Sequence, residues 1–298
     1  MPFYQKGVFL YKGNHDKNVT SKKLAQTLPA IGQAVKELKV IQTETINEVK
    51  EVCKAAAGEA DILFILGGDG TVHECVNSIA ELEKRPVISI LPGGTSNDFS
   101  RMLNIPQNLQ AAAEAITDGE IIDVDLGKSN DRYFLNFWGI GLVSETSQNT
   151  NENFKKSFGI LSYFLSTLQT INQVEPFSYE ITADGKILEG EAVMIIVLNG
   201  KFLGTRELPI PTVSPTDGKL DVLVVKNSSL ASFRELLSMN NPETIADELT
   251  ELTHIQAEQV KVAADEKKEI DMDGEMKGET PGEITVLPGH LKMIKAIQ

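Results

Sequence analysis

The order of apolar and polar positions divides the 298-residue chain into two halves of different rhythm. In the first half, short apolar runs alternate with stretches of helical spacing. Val8-Phe9-Leu10-Tyr11 reads as a strand. Leu24, Leu28, Ile31, Val35 and Leu38 keep helical spacing and predict a helix from about Ser21 to Leu38, with Pro29 as a point of kinking or splitting. Val40-Ile41-Gln42 is a weak strand and Thr45 to Ala57 a helix. Ile62-Leu63-Phe64-Ile65-Leu66 is a buried strand, Val72 to Leu82 an amphipathic helix, and Val87 to Leu91 another strand. Asn108 to Thr117 is a helix stopped by Asp118-Gly119. Strands alternating with helices predict a parallel sheet covered by helices on both faces.

After about Asp123 the rhythm changes. Arg132 to Trp138, Glu191 to Leu198, Gly218 to Val225 and Ile284 to Leu287 are apolar and rich in strand formers. Asp184-Gly185, between two further strand-like runs, is a hairpin signal. The expected fold is an α/β N-terminal domain over residues 1–122 and a mostly antiparallel β-sandwich over residues 123–289. Phe154, Phe158, Leu161, Phe164, Leu165, Leu168 and Ile171 have helical spacing, read as a helix packed on the sandwich, with a flap over an acyl-chain pocket as the alternative.

The candidate chemistry begins where two consecutive strands end in glycine turns. Gly67-Gly68-Asp69-Gly70-Thr71 follows the first, and Pro92-Gly93-Gly94-Thr95-Ser96-Asn97-Asp98-Phe99 continues from the second. A strand, a glycine turn and a helix aim backbone N–H groups and a helix N-terminus at an anion, and a phosphate is the usual one. In an open parallel sheet both turns lie at the carboxyl edge of the strands, where ligands collect. Asp69 would repel a bare phosphate, so its presence points to a bridging divalent cation. Either turn taken alone is also an ordinary strand–helix loop with an N-cap hydroxyl. The first turn has no Gly-Lys-Ser/Thr ending and is not a Walker P-loop.

Together these residues resemble the diacylglycerol kinase and sphingosine kinase type of lipid kinase, in its bacterial single-chain form. The first motif is shared with NAD kinases and, more loosely, phosphofructokinases; its pairing with Leu91 to Phe99 is more specific. Tyr133-Phe134-Leu135-Asn136 with Gly139-Ile140-Gly141, Asp217-Gly218-Lys219-Leu220-Asp221 and Asp273-Gly274-Glu275 follow in the family's order and extend the resemblance over most of the chain. The resemblance implies that the tail, residues 290–298, returns to the first domain.

It also implies a division of labour. Phosphoryl transfer needs a cradle for the donor phosphates, a cation, and a group that orients or deprotonates the acceptor hydroxyl. Gly67, Gly68, Gly70 and Thr71 supply the cradle for ATP, completed by Gly93, Gly94 and Thr95, with Asn97 as a polar contact. Asp69 is the candidate holder of the catalytic Mg²⁺, through water. Thr43 fits the family's threonine before the second helix. Gly13 and Asn14 stand where close relatives carry an Asn-Pro turn that touches the nucleotide. His73 replaces a usual Asn and reads as a helix-surface histidine. Gly204-Thr205-Arg206-Glu207 replaces a glycine-rich stretch on the acceptor side.

On the acceptor side, alternation places Asp271 and Asp273 on one strand face, and Gly274 lets Glu275 project separately. The residues alone are equally those of a solvated acidic hairpin; by resemblance Glu275 takes the proton from the lipid hydroxyl and Asp273 serves the metal and proton network. Ser214, Asp217 and the carbonyl of Lys219 form a turn of hard oxygen donors. By itself this is an Asp-Gly turn leading into a strand; by resemblance it holds a structural Mg²⁺.

Composition narrows the partners. With 28 Lys and Arg against 42 Asp and Glu, the net charge is −14, which excludes broad nucleic-acid binding. Cys53 and Cys75 give no disulfide framework and read as buried thiols. The opening Met1-Pro2-Phe3-Tyr4-Gln5-Lys6 lacks the apolar core of a signal peptide, and no apolar run reaches membrane-spanning length. The expected protein is an ATP- and Mg²⁺-dependent kinase of a diacylglycerol-like lipid. It would be cytoplasmic and would meet the inner membrane face transiently, with a homodimer as the candidate assembly. Lys155-Lys156 and Lys267-Lys268 are candidate basic pairs for an anionic surface, and otherwise solvated loop lysines. The rival readings are an NAD kinase and a nucleotide-binding regulator of the same fold without turnover.

Overall fold

The computed structural model describes residues 4–13, 16–142, 175–241 and 249–297. Asn14, Lys155-Lys156 and the helical pattern from Phe154 to Ile171 lie outside them. The chain divides into two units, Met1–Val124 with Gly289–Gln298, and Asp125–Pro288.

The first unit is built on strands β1 (Tyr4–Lys12), β2 (Val35–Thr43), β3 (Ile62–Gly67) and β4 (Val87–Pro92), hydrogen-bonded in the order β2-β1-β3-β4 and parallel throughout. Five helices belong to it: α1 (Lys17–Ala34), α2 (Ile46–Glu59), α3 (Asp69–Ile79), α4 (Asp98–Met102) and α5 (Leu109–Thr117). The chain runs from β1 outward to β2 and then back across β1 to β3. Right-handed crossovers therefore put α1 on one face and α2 with α3 on the other. The packing agrees, since α1 contacts α5 and α2 contacts α3. The sheet core is apolar on both faces: Phe9, Ile62, Leu63, Phe64, Ile65 and Ile88 are fully buried, and the Phe9 and Phe64 rings stack with centroids 6.5 Å apart.

Two local expectations change. The helix expected from Ser21 to Leu38 runs from Lys17 to Ala34 instead, capped by the Asp16 carboxylate on the Asn18 N–H. Pro29 lies inside it without splitting it. Val35 and Leu38 belong to β2, a sheet-edge strand buried only at its two ends, so their helical spacing is coincidental. Helix α2 begins with a variant of the capping box: Thr45 Oγ1 accepts the Glu48 N–H, while the Glu48 carboxylate accepts the N–H of Glu44, one residue before the cap. His73, expected at the surface, is 1% exposed. Cys53 on α2 and Cys75 on α3 are both fully buried, and the Cys75 thiol is held well above its ordinary pKa, first by its hydrogen bond with Cys53 and then by burial.

The second unit stacks two sheets. The strands are β5 (Glu120–Ser129), β6 (Arg132–Phe134), β7 (Phe137–Gly141), β8 (Phe177–Ala183), β9 (Lys186–Ala192), β10 (Met194–Leu198), β11 (Phe202–Leu203), β12 (Arg206–Glu207), β13 (Leu220–Val225), β14 (Leu252–Ala257), β15 (Gln259–Ala264), β16 (Glu269–Met272), β17 (Glu275–Glu279) and β18 (Gly282–Lys295), with helix α6 (Leu230–Ser238) between β13 and β14. One sheet has the order β14-β13-β10-β7-β16-β17; the other joins β18-β15-β8-β9, with β5 beside β18 and β6 beside β5. All pairings of the first sheet are antiparallel. Trp138, Ile195, Val197 and Val222 from one sheet pack with Ile181, Val260, Val262 and Ile284 from the other, which defines a β-sandwich. The opposite side chains of β10 and β13 are covered by Leu203, Leu208, Val213 and α6. That double burial explains why Met194 to Leu198 is uninterruptedly apolar. Asp184 (φ 46°) and Gly185 (φ 81°) form the two-residue turn between β8 and β9. Both unit boundaries fall within strands, β5 and β18, and the end of β18 pairs parallel with β4 at Met293. No described helix is long and apolar enough to cross a membrane.

Candidate active site

In the first unit the sheet brings the donor-side residues to one edge. Gly13 follows β1, Thr43 ends β2, Gly67 ends β3 and Gly93 follows β4, all at the carboxyl ends of the strands. The chain reverses direction across the sheet at β1 and β3, the topological switch point where such sheets bind ligands. Neighbouring strand ends are tied to each other. The Gly13 N–H donates to the Thr43 carbonyl (2.8 Å), and the Gly93 N–H donates to the Gly67 carbonyl (2.9 Å). Thr43 is buried, and its hydroxyl donates to the Tyr11 carbonyl.

The two glycine turns pack backbone against backbone. A Cβ on Gly94 would sit 2.5 Å from the Gly68 Cα, one on Gly68 would sit 3.0 Å from the Gly94 Cα, and one on Gly93 would sit 3.0 Å from the Gly67 nitrogen. Only glycine permits that approach. The turns are also locked by side chains. The Asp69 carboxylate accepts the Asn97 N–H and the Asp98 N–H, both at 2.8 Å, and so caps α4 from the opposite turn. Asn97 adopts a left-handed conformation (φ 52°); its side chain accepts the Gly94 N–H and donates to the Gly94 carbonyl and to Gln107. Gly68 is the N-cap of α3, extended and without a side-chain cap, so the positive end of the helix dipole lies at this turn. Thr95 and Gly94 are exposed on the second turn, while Gly67 to Thr71 are half-buried.

The second unit holds the other candidate residues. In the loop before β13, the Lys219 N–H donates to Asp217 Oδ1 (3.0 Å) and the Thr216 N–H donates weakly to the Ser214 hydroxyl. The Gly218 N–H donates to Asp125 Oδ2 (2.7 Å). Beside them, buried Asp221 pairs with His254 Nε2 at 2.8 Å and accepts from Thr212. Burial pushes the Asp217 carboxyl above the usual carboxylate range; the Lys219 N–H opposes this, and Asp221 and Asp125 add to it. Among the described residues no three acidic, histidine or cysteine side chains form a ready metal cluster. The candidate set of Ser214, Asp217 and Lys219 contains one carboxylate, one hydroxyl and one carbonyl, a hard-oxygen set in a field of neighbouring carboxylates, and that chemistry fits a divalent cation.

The acidic hairpin differs from its sequence reading. Strand β16 ends at Met272, so Asp273 (φ 55°) and Gly274 (φ 88°) form the turn, and Met272 faces Glu275 across it. Asp271 and Asp273 therefore do not share a strand face. Buried Asp271 accepts the Gly274 N–H at 2.8 Å. The Asp273 carboxylate accepts the N–H groups of Leu135, Asn136 and Phe137 at 2.8–3.0 Å, and its own N–H donates to the Phe137 carbonyl. Asn136 donates to the Phe202 carbonyl, and Asn199 ties the Asp125 and Leu135 carbonyls together. Glu275, half-buried at the start of β17, follows this fixed turn directly.

The sequence profile of the diacylglycerol kinase catalytic domain matches residues 7–129, and that of the YegS C-terminal NAD kinase beta sandwich-like domain matches residues 139–295. The chain belongs to the bacterial diacylglycerol kinase-like family of lipid kinases. A Staphylococcus aureus strain Mu3 protein named "Putative lipid kinase" is 31% identical over 296 residues, covering 98% of this chain and 97% of its own. Among solved structures, one titled "Crystal structure of a putative diacylglycerol kinase from Bacillus anthracis str. Sterne" is 38% identical, with a TM-score of 0.88 over 99% of this chain and 98% of that one. A second, "The crystal structure of a diacylglycerol kinases from Bacillus anthracis str. Sterne", is 35% identical with a TM-score of 0.82, over 98% and 97%.

Several supports of this lipid kinase's candidate site escaped the sequence reading. Gln107 reaches both Asn97 and Ser100, Asp98 starts α4 against Asp69, and Lys23 Nζ donates to the Gly93 carbonyl at 2.9 Å. Their partners are distant in sequence or main-chain atoms. Only Lys23 left a trace, standing four and eight residues before buried Thr27 and Ile31 on the inward face of α1.

Proposed function

We propose that this member of the family transfers the γ-phosphoryl group of ATP to the hydroxyl of a diacylglycerol-like lipid. The observation that carries the reading is the pair of glycine turns, bound to each other at the carboxyl edge of a parallel sheet with the N-terminus of α3 among them. Such a surface presents fixed N–H dipoles to phosphate oxygens without the cost of ordering side chains. The amides of Gly67 to Thr71 and of Gly93 to Thr95 receive the donor phosphates. Asp69 fixes the turns through the Asn97 and Asp98 N–H groups and places a carboxylate where the hydration shell of a cation would meet it. Mg²⁺, when bound, neutralises charge on the phosphates, and Asp69 is the residue that would hold it there.

In the transfer, the lipid oxygen forms a bond to the γ-phosphorus, the bond to the β-phosphate oxygen breaks, ADP leaves and the hydroxyl proton passes to Glu275. General-base assistance of this kind contributes roughly 10²–10⁴-fold. Asp273 acts by holding the segment from Leu135 to Phe137 and the turn from which Glu275 projects. The Ser214, Asp217 and Lys219 loop is a second, structural Mg²⁺ site. The enzyme works on the cytoplasmic face of the membrane.

The test is a labelled-ATP assay with diacylglycerol and NAD offered side by side to the wild-type chain and to Glu275→Gln. Label in the lipid, lost on substitution, is the expected result. Label in NAD instead would make the protein an NAD kinase. Nucleotide binding with no transfer to any lipid in a broad panel would make it a regulator.

A further inference from the structure

The donor turns face a charge problem. Their polar groups are peptide N–H groups, hydroxyls, the Asn97 amide and the carboxylates of Asp69 and Asp98, with Arg101 Nε on the Ser96 carbonyl as a cation at the far end of the second turn, while the ligand they suit is strongly anionic. A P-loop meets this with the lysine of its Gly-Lys-Ser/Thr ending, which the Gly67 turn lacks. The structure supplies a lysine from elsewhere. Lys23 lies on α1, one turn before Thr27 on the inward face, and is partly buried. Its ammonium donates to the carbonyl of Gly93, the same residue whose N–H bonds Gly67 and thereby joins the two turns. Among the described residues no carboxylate pairs with it.

Latching a turn needs only a neutral donor, whereas Lys23 brings a full positive charge and three N–H bonds, of which the Gly93 carbonyl takes one. A phosphate oxygen would complete the environment: it offers negative charge to the two N–H bonds that Gly93 leaves over.

We propose that Lys23 is a ligand of the donor phosphates, a point charge delivered from outside the glycine motifs to the β- and γ-phosphate oxygens of a nucleoside triphosphate. The assignment rests on the donor-site reading above. It makes Lys23 a discriminator of triphosphate from monophosphate, because a nucleoside monophosphate carries neither group.

Calorimetric titration with ATP and with AMP, both in Mg²⁺, tests it on wild type, Lys23→Met and Lys23→Gln, with melting curves to check folding. The expected result is a loss of ATP affinity of about tenfold to a hundredfold in both variants, the scale of one charge-assisted hydrogen bond, with AMP affinity unchanged within about twofold. Lys23→Arg should recover part of the loss. Equal losses for ATP and AMP would reduce Lys23 to a latch, and unchanged ATP affinity would remove it from the site; either overturns the proposal while leaving the donor site standing. A wild-type chain that binds no ATP would overturn the donor-site reading and Lys23 with it.

Discussion

The glycine turns of the first unit and the acidic turns of the second solve the same problem with opposite materials. At the glycine turns, shape is set by main chain pressed on main chain, and side chains such as Asp69 and Asn97 serve as clamps between the turns. At the acidic turns, carboxylates set the shape: Asp273 gathers three N–H groups from residues more than 130 positions away, and Asp125 holds Gly218. The first arrangement is intolerant of added volume. The second is sensitive to lost charge. A residue's chemical type therefore does not reveal whether it meets the ligand or holds the residue that does.

The largest expected effect breaks the first arrangement. Gly94→Ala brings a methyl group to 2.5 Å from the Gly68 Cα, a backbone atom that cannot swing away. It should separate the turns, lower kcat/KM for ATP by more than about a hundredfold and destabilise the first unit by ~1–3 kcal/mol, measured by kinetics and urea unfolding.

Next comes Asp273→Ala, which orphans three N–H groups on Leu135, Asn136 and Phe137, all buried. Each such group costs ~1–3 kcal/mol when left unpaired, so an overall loss of about 3 kcal/mol in urea unfolding is expected along with lost activity. Glu275→Gln should lose transfer alone and keep stability within about 0.5 kcal/mol. Equal stability of the two variants would erase the distinction between the holding and the reacting carboxylate.

The smallest effect sharpens the reading of the cation loop. The folded-state pKa of Asp217 lies above its unfolded value, so folding binds its proton more tightly. Its contribution to stability therefore falls as pH rises from the unfolded value through the raised one, and the penalty is complete above both. Asp217→Asn should raise the Tm slightly near pH 7 in the absence of Mg²⁺, with the gain shrinking toward pH 4. Added Mg²⁺ should raise the Tm of the wild type and leave that of the variant unmoved.

The sequence was readable where local pattern and local structure coincide. Ile62 to Leu66 is buried on both faces, so its run is apolar without interruption, and three glycines in the next four positions mark the turn. The hairpin at Asp184-Gly185 is equally local. Val35 and Leu38 misled because Gly32 falls inside the last turn of α1 and no glycine or proline follows its end, and an edge strand with exposed lysines keeps a weak pattern of its own. His73 misled because α3 buries almost its whole circumference, including Glu74, which pairs with Lys50 at 3.3 Å. The reach of Asp273 to Leu135 had no sequence signal, since the partner is a main-chain atom, and that of Lys23 to Gly93 left only its helical spacing ahead of Thr27 and Ile31.

The central claim is that the main-chain amides of the two glycine turns hold a triphosphate. Amide hydrogen exchange of the full chain, followed with Mg²⁺ and either ATP or adenosine, tests it directly. Slowed exchange at Gly68 to Thr71 and Gly93 to Thr95 is expected with ATP, and little change with adenosine. Unaltered exchange at both turns under saturating ATP, or equal slowing by adenosine, would contradict it.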